Sequence, residues 1–224
     1  MKNYLKNRKI LEDNHVYSKS MEHDACGVGL IASTEGKKSR KIVEYGINAL
    51  KAVFHRGAVD ADGKTGDGAG IHLEIPSDFF SEKIEITGHR HDGSEVCVGM
   101  IFLPRNNYEA QENARTLVES ELTKSNFSIY GWRQVPVNPK VLGEKANLTR
   151  PEIAQVLFKH NDKSLNGKEL ERKLYESRRK IENKSIKNQL EGFYICSLSS
   201  KSIIYKGMFL AESIADFYVD LKDK

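Results

Sequence analysis

At 224 residues the chain is long enough for one large domain or two small ones. Its 35 Lys and Arg against 31 Asp and Glu leave a net charge of only +4, spread evenly, which argues against nucleic acid as a partner. No apolar run approaches the roughly 20 residues of a membrane span, and the Lys- and Asn-rich start lacks the apolar stretch of a secretory signal, so a cytoplasmic setting without membrane contact is expected.

Residues 1–25 are polar and poorly patterned. From Cys26 the pattern changes, and Cys26 to Ser33 reads as a buried strand. After a turn, Ile42, Tyr45, Gly46, Ala49, Leu50 and Val53 recur at helical spacing, predicting an amphipathic helix from Ser39 to Phe54. A glycine-rich loop follows from Gly57 to Gly68. Ile71, Leu73 and Ile75 then alternate with His72 and Glu74, a strand that Pro76 ends. Further strands are predicted over Glu95–Leu103 and Phe127–Val137, with a helix over Tyr108–Thr123 between them. A connection runs from Asn138 to Arg150. Pro151–Lys159 reads as a strand, although Glu152 to Gln155 is also compatible with a helix. Lys168–Gln189 is a charged helix with an apolar stripe at Leu170, Leu174 and Ile181, and Asn166-Gly167 is its entry turn. Its basic residues, Arg172-Lys173 and Arg178-Arg179-Lys180, alternate with acids and read as a solvated face. Phe193–Leu198 and Ile203–Gly207 are predicted to form a hairpin. This mixture argues for a layered α/β or α+β domain.

Of three cysteines, Cys97 and Cys196 sit in strand-like apolar surroundings and read as core packing; their spacing gives neither a disulfide framework nor a metal pattern. Cys26 differs, because it stands at the boundary between the polar leader and the apolar Gly27-Val28-Gly29. A thiol has an ordinary pKa of about 8.5, so it needs help to act as a nucleophile near neutral pH. If residues 1–25 were removed, the freed α-amine, with a pKa of about 7.7–8.0, would lie on the same residue and serve as the base. Taken alone, Cys26-Gly27-Val28-Gly29 is equally readable as a buried strand cysteine. His55-Arg56-Gly57-Ala58 follows the amphipathic helix, where the returning chain can bring a fixed cation near the first strand. Asp60, Asp62 and Asp67 have the character of calcium ligands, but their spacing does not match an EF-hand. The glycines lack the spacing of either phosphate-loop motif.

Cys26-Gly27-Val28-Gly29, Leu50 to Ala58, Ala61-Asp62 and Thr65-Gly66-Asp67-Gly68-Ala69-Gly70-Ile71 together resemble the class II glutamine amidotransferase domain of the glutamate synthase large-subunit family. Tyr205-Lys206-Gly207-Met208 and Phe217 to Leu221 add to that likeness, which covers most of residues 22–224. The resemblance implies an α+β, N-terminal-nucleophile hydrolase fold: a four-layer αββα sandwich of antiparallel sheets, of which the chain covers the first half. It implies a leader, residues 1–25, and a partial amidotransferase domain, residues 26–224. It makes Cys26 the catalytic nucleophile, with Gly27, His55, Arg56, Gly57, Asp67 and Gly68 binding substrate or supporting the site.

The implied reaction is hydrolysis of glutamine to glutamate and ammonia through a cysteine thioester, the ammonia passing to 2-oxoglutarate in the whole enzyme. No cofactor is expected in this chain; FMN and an iron–sulfur cluster are implied for the full-length enzyme. The expected partners are glutamine, the remainder of the synthase as the same or a separate chain, and an electron donor, either an NAD(P)H-linked small subunit or ferredoxin. The family's Asn-Gly oxyanion pair and its substrate-amine Asp are not found, which predicts weak activity for the chain alone. The alternatives are a stand-alone amidotransferase subunit, another class II enzyme of the amidophosphoribosyltransferase kind, and a non-catalytic binding module.

Overall fold

A computed structural model describes residues 2–14, 27–53 and 58–223. The central element is β4 (Glu152–His160), whose residues are buried on both faces. It pairs antiparallel with β2 (Cys97–Leu103) on one side and β3 (Phe127–Gln134) on the other; β5 (Tyr194–Ser199) adds to β2, giving the order β3-β4-β2-β5. Side chains alternate across a strand. Ala154, Val156 and Phe158 therefore face one core and Ile153 and Leu157 the other.

The first core is closed by two antiparallel-sheet-covering helices, α4 (Tyr108–Lys124) and α6 (Gly167–Lys187). α4 contributes Ala114, Val118 and Leu122, and α6 contributes Leu170, Leu174 and Ile181, the stripe expected from sequence. Asn107 caps α4 by accepting from the amide of Ala110 at 3.0 Å. Asn166 stands at the N-cap position of α6 and Gly167 has φ +57, so the pair is a helix entry, as expected. The exposed face of α6 is laced by Arg172–Glu176 and Arg178–Glu182 pairs at i,i+4 spacing.

The second core lies between this sheet and a two-stranded antiparallel sheet of β1 (Ala69–Glu74) and β6 (Ser202–Gly207). Ile203 and Tyr205 of β6 face it, together with Val98, Met100 and Cys196 of the larger sheet. The ends are filled by α3 (Ser77–Ile86) and by α7 (Ile214–Phe217) with its neighbours Tyr218 and Leu221. The short α5 (Glu144–Leu148) and α2 (Arg40–Ala52) complete this side, Gly46 of α2 resting against Ile71 of β1. The result is α+β with two antiparallel sheets. Cys97 and Cys196 are both buried core residues, as read from the sequence.

Four sequence expectations are corrected. Gly27 to Ser33 forms no strand: Val28 and Leu30 are 88% and 89% exposed, because an alternating apolar pattern specifies a face but supplies no ladder partner. β5 and β6 are consecutive but do not form a hairpin, since each pairs in a different sheet. The amides of Lys201 and Ser202 both donate to Ser199 Oγ, which turns the chain from one sheet to the other. The Asn138–Arg150 connection contains α5. Helices also occupy Ser77–Ile86 and, within residues 1–25, Lys2–Asn14 (α1), where no element was expected.

Phe158 is fully buried and meets the Phe127 ring edge-on with centroids 5.3 Å apart. Phe158→Ala should therefore lower unfolding free energy by about 3–5 kcal/mol, read from urea denaturation with an unchanged m-value.

Candidate active site

Residues adjoining the site motifs in sequence border an open groove of about 940 Å³. Its walls are the 27–39 segment, the apolar side of α2 and the free edge of β1. α2 brings Ile42, Val43, Gly46, Ala49, Leu50 and Val53 to it, the helical spacing seen in the sequence. Gly27, which follows Cys26, lines this groove. So do Val53, at the C-terminal end of α2, and Gly70, two residues after Gly68. Three segments that adjoin the motifs in sequence therefore border one groove. Cys26, His55, Arg56 and Gly57 lie outside the described residues. Gly27, Asp67 and Gly68 are exposed.

The 58–68 loop is held by its own acids. Val59 bridges Gly66, and the Asp60 amide donates to Thr65 O at 2.9 Å. Asp62 Oδ1 accepts from the amides of Lys64 (2.9 Å) and Thr65 (2.7 Å), while Thr65 Oγ1 donates to Asp62 Oδ2 at 2.5 Å. The hydroxyl's hydrogen bond, with those two amides, holds the Asp62 carboxyl down at about 2. Lys145 Nζ donates to Asp60 Oδ2 at 2.7 Å and keeps that carboxyl low as well. Asp60 and Asp62 thus serve the loop's own architecture.

Two glycines let this loop seat against the body. A Cβ on Gly143 would lie 2.1 Å from Asp62 Oδ2 and 2.2 Å from Thr65 Oγ1, and one on Gly66 would lie 2.7 Å from Phe209 O. Gly68, with φ +130, then turns the chain into β1.

Sequence reasoning missed the groove floor. Arg133 of β3 grips Asp220 with both terminal nitrogens, at 2.8 and 2.6 Å, and donates to Gln155 Oε1 at 2.7 Å. Gln155 Nε2 donates to Tyr205 OH, which donates to Asp220 Oδ2, both at 3.4 Å. Tyr205 and Asp220 line the groove. Burial, followed by the Asp220 charge, pushes the Tyr205 phenol well above its ordinary range. Arg133 and Asp220 are 87 residues apart, and no local signal connects them. The Asp62–Thr65 turn, by contrast, has the Asx pattern and was findable.

Among the described residues no group of three His, Cys, Asp or Glu side chains could hold a metal ion, and no helix is long and apolar enough to cross a membrane. Cys97 and Cys196 lie in separate cores. Burial pushes the Cys97 thiol far up and Cys196 to about 11, so neither is an activated thiol.

This layered fold belongs to a defined class. Residues 26–224 match the family described as glutamine amidotransferases class-II, and the chain is a member of it. Among its relatives, it is 53% identical to the glutamate synthase [NADPH] large chain of Azospirillum brasilense, across 97% of this chain and 14% of that protein. It is 40% identical to ferredoxin-dependent glutamate synthase 2 of Synechocystis sp., across 90% of this chain and 13% of that protein. It is 37% identical to the glutamate synthase [NADPH] large chain of Bacillus subtilis, across 93% and 14% respectively. The chain spans only 13–14% of the length of these relatives.

Two outcomes follow from this geometry. The Asp62 carboxyl is depressed, so its contribution to loop docking is full above its ordinary value of 3.8 and is lost as pH falls through about 2. Thr65→Val should raise the Asp62 midpoint in a carboxyl NMR titration; an unchanged midpoint would refute the assignment. Asp220→Ala, which strands a buried guanidinium, should cost about 3–5 kcal/mol in urea denaturation, and Asp220→Ala with Arg133→Met should cost less.

Proposed function

We propose that this chain is the nucleophile half of the glutaminase domain of a glutamate synthase large subunit, with residues 1–25 a removable leader and residues 26–224 a partial amidotransferase domain. The observation that carries the reading is the meeting of Gly27, Val53 and Gly70 in one groove. That shared groove supports Cys26 as nucleophile, with His55, Arg56 and Gly57, which follow α2 in sequence, and Asp67 and Gly68, which precede β1, binding substrate or supporting the site.

In this mechanism the Cys26 α-amine, once freed, takes the thiol proton. The thiolate attacks the side-chain amide carbon of glutamine, and the ammonium returns its proton to the departing ammonia. A glutamyl thioester remains. Water, deprotonated by the same amine, cleaves it to glutamate and restores the thiol. Gly27 leaves space for the amide, and the Arg56 fork suits the substrate carboxylate.

In the whole enzyme the ammonia would combine with 2-oxoglutarate, and FMN with an iron–sulfur cluster would supply the electrons. Such a cluster needs several gathered thiolates. Cys97 and Cys196, buried in separate cores, do not fit it, so this proposal places both cofactors in the remainder of the synthase. The electron donor would be an NAD(P)H-linked small subunit or ferredoxin, since relatives named for NADPH (53% and 37%) and for ferredoxin (40%) overlap in identity.

The test uses the full synthase containing this chain. Cys26→Ala should abolish glutamine-dependent glutamate formation and leave ammonia-dependent formation intact. Intact mass should show a chain beginning at Cys26. The isolated chain should release glutamate only weakly, since each absent oxyanion donor costs about 2.7–4 kcal/mol of transition-state stabilisation. Undiminished glutamine use by the Cys26→Ala enzyme would refute the proposal.

A further inference from the structure

On the far side of the four-stranded sheet's end, two guanidinium groups converge on one residue. Arg105 lies between β2 and α4, and Arg150 between α5 and β4. Arg105 Nη1 donates to Asn147 O at 2.9 Å, and Arg150 Nε donates to Asn147 Oδ1 at 3.3 Å. The Arg150 amide also donates to Asn147 O, at 3.4 Å. Both side chains are half-buried. Each guanidinium has five donor hydrogens, and these contacts use one apiece.

Among the described residues, the charge of this pair is not matched by a carboxylate in contact. Arginines 40, 115, 133, 172, 178 and 179 each hold an acid: Glu44, Glu112, Asp220, Glu176, Glu182 and Glu182 in turn. Neither Arg105 nor Arg150 has an ion pair among the described residues. Glu152 acts on Arg150 only through space, and Arg105 opposes it: burial first, then the Arg105 charge, lowers the Arg150 pKa. Two half-buried like charges fixed side by side are unfavourable unless a counter-charge joins them. The planar fork of arginine matches a planar or tetrahedral oxyanion, with two parallel bonds from each group.

We propose that Arg105 and Arg150, oriented by Asn147, form an oxyanion-binding site that takes a carboxylate or phosphate group. It is separate from the groove, none of whose lining residues it shares. Tyr108 and Leu148, within three residues of the pair in sequence, are both exposed.

The test is a titration of the full chain, ¹⁵N-labelled, with inorganic phosphate and separately with malonate, ionic strength being held constant with sodium chloride. The arginine Nε–H resonances of residues 105 and 150 should move saturably. Arg105→Met and Arg150→Met should each weaken the response about tenfold or more, the worth of a charge-assisted hydrogen bond. Arg172→Met, a charge-matched control on α6, should leave it unchanged. Saturation by phosphate alone assigns a phosphate group; saturation by malonate, alone or as well, assigns a carboxylate-accepting site. If Arg150→Met fails to fold by far-UV circular dichroism, Arg150→Lys, which keeps the charge and loses the fork, takes its place and should also weaken binding. Movement no larger than the chloride control, or equal in wild type and the 105 and 150 variants, overturns the proposal.

Discussion

The buried Arg133–Asp220 pair ties together the parts on which the groove depends. Arg133 belongs to the four-stranded sheet, Asp220 to the C-terminal turn, and Tyr205, bonded to both Asp220 and Gln155, to the two-stranded sheet. One constellation therefore fixes the spacing of the two sheets and the floor of the groove. A buried ion pair is weak as a source of net stability, since desolvation offsets much of its attraction. Its value here is geometric. A hydrophobic core tolerates sliding as long as area stays buried, whereas a bidentate fork accepts only one alignment.

The 58–68 loop applies the same logic at smaller scale. The six residues 62–67 are all polar or glycine, with only Thr65 and Gly66 buried, and have little apolar area with which to dock. It is instead ordered by charge-assisted hydrogen bonds around Asp62 and by the Lys145–Asp60 contact, while Gly143 and Gly66 remove the Cβ atoms that would hold it off. The start of β1, and with it Gly70 at the groove, is placed by that docking. Site geometry therefore rests on polar contacts whose members look like functional acids when read as a string.

Much of this was legible in the sequence. Period-2 alternation located β1, apolar runs located β2 and β4, and helical spacing located α2 and α6. The stripe Leu170, Leu174, Ile181 is an instance: all three side chains are buried. What failed was everything that depends on partners. Ser199 to Ser202 has the composition of a hairpin turn, but whether its strands pair with each other is settled by β1 and β2, each more than 90 residues away in the chain. Gly27 to Ser33 has the composition of a strand, yet a strand is a property of two segments. The groove floor was invisible for the same reason, as its residues come from four elements. Only the resemblance joined Cys26 to the distant Arg56 and Gly66–Gly70 segments, because it supplied a spatial relation that no local pattern contains.

If Cys26 is the nucleophile, as proposed, the groove's own charges bear on the choice of its base. Most ionisable groups that line it are already engaged: Lys38 with Glu74 at 3.0 Å, Arg40 with Glu44 at 3.2 Å, Lys37 with Glu35 at 2.8 Å and Asp220 with Arg133. A carboxylate already held by a guanidinium is a poor proton acceptor, because accepting the proton forfeits the pairing. His72 is the only imidazole among the described lining residues. It projects from the exposed face of β1, opposite to Ile71 and Leu73. An amine on the nucleophile's own residue needs no such placement. It arrives with the thiol and is fixed at short range by covalent geometry, so removal of residues 1–25 would create the nucleophile's base and its working position in one step.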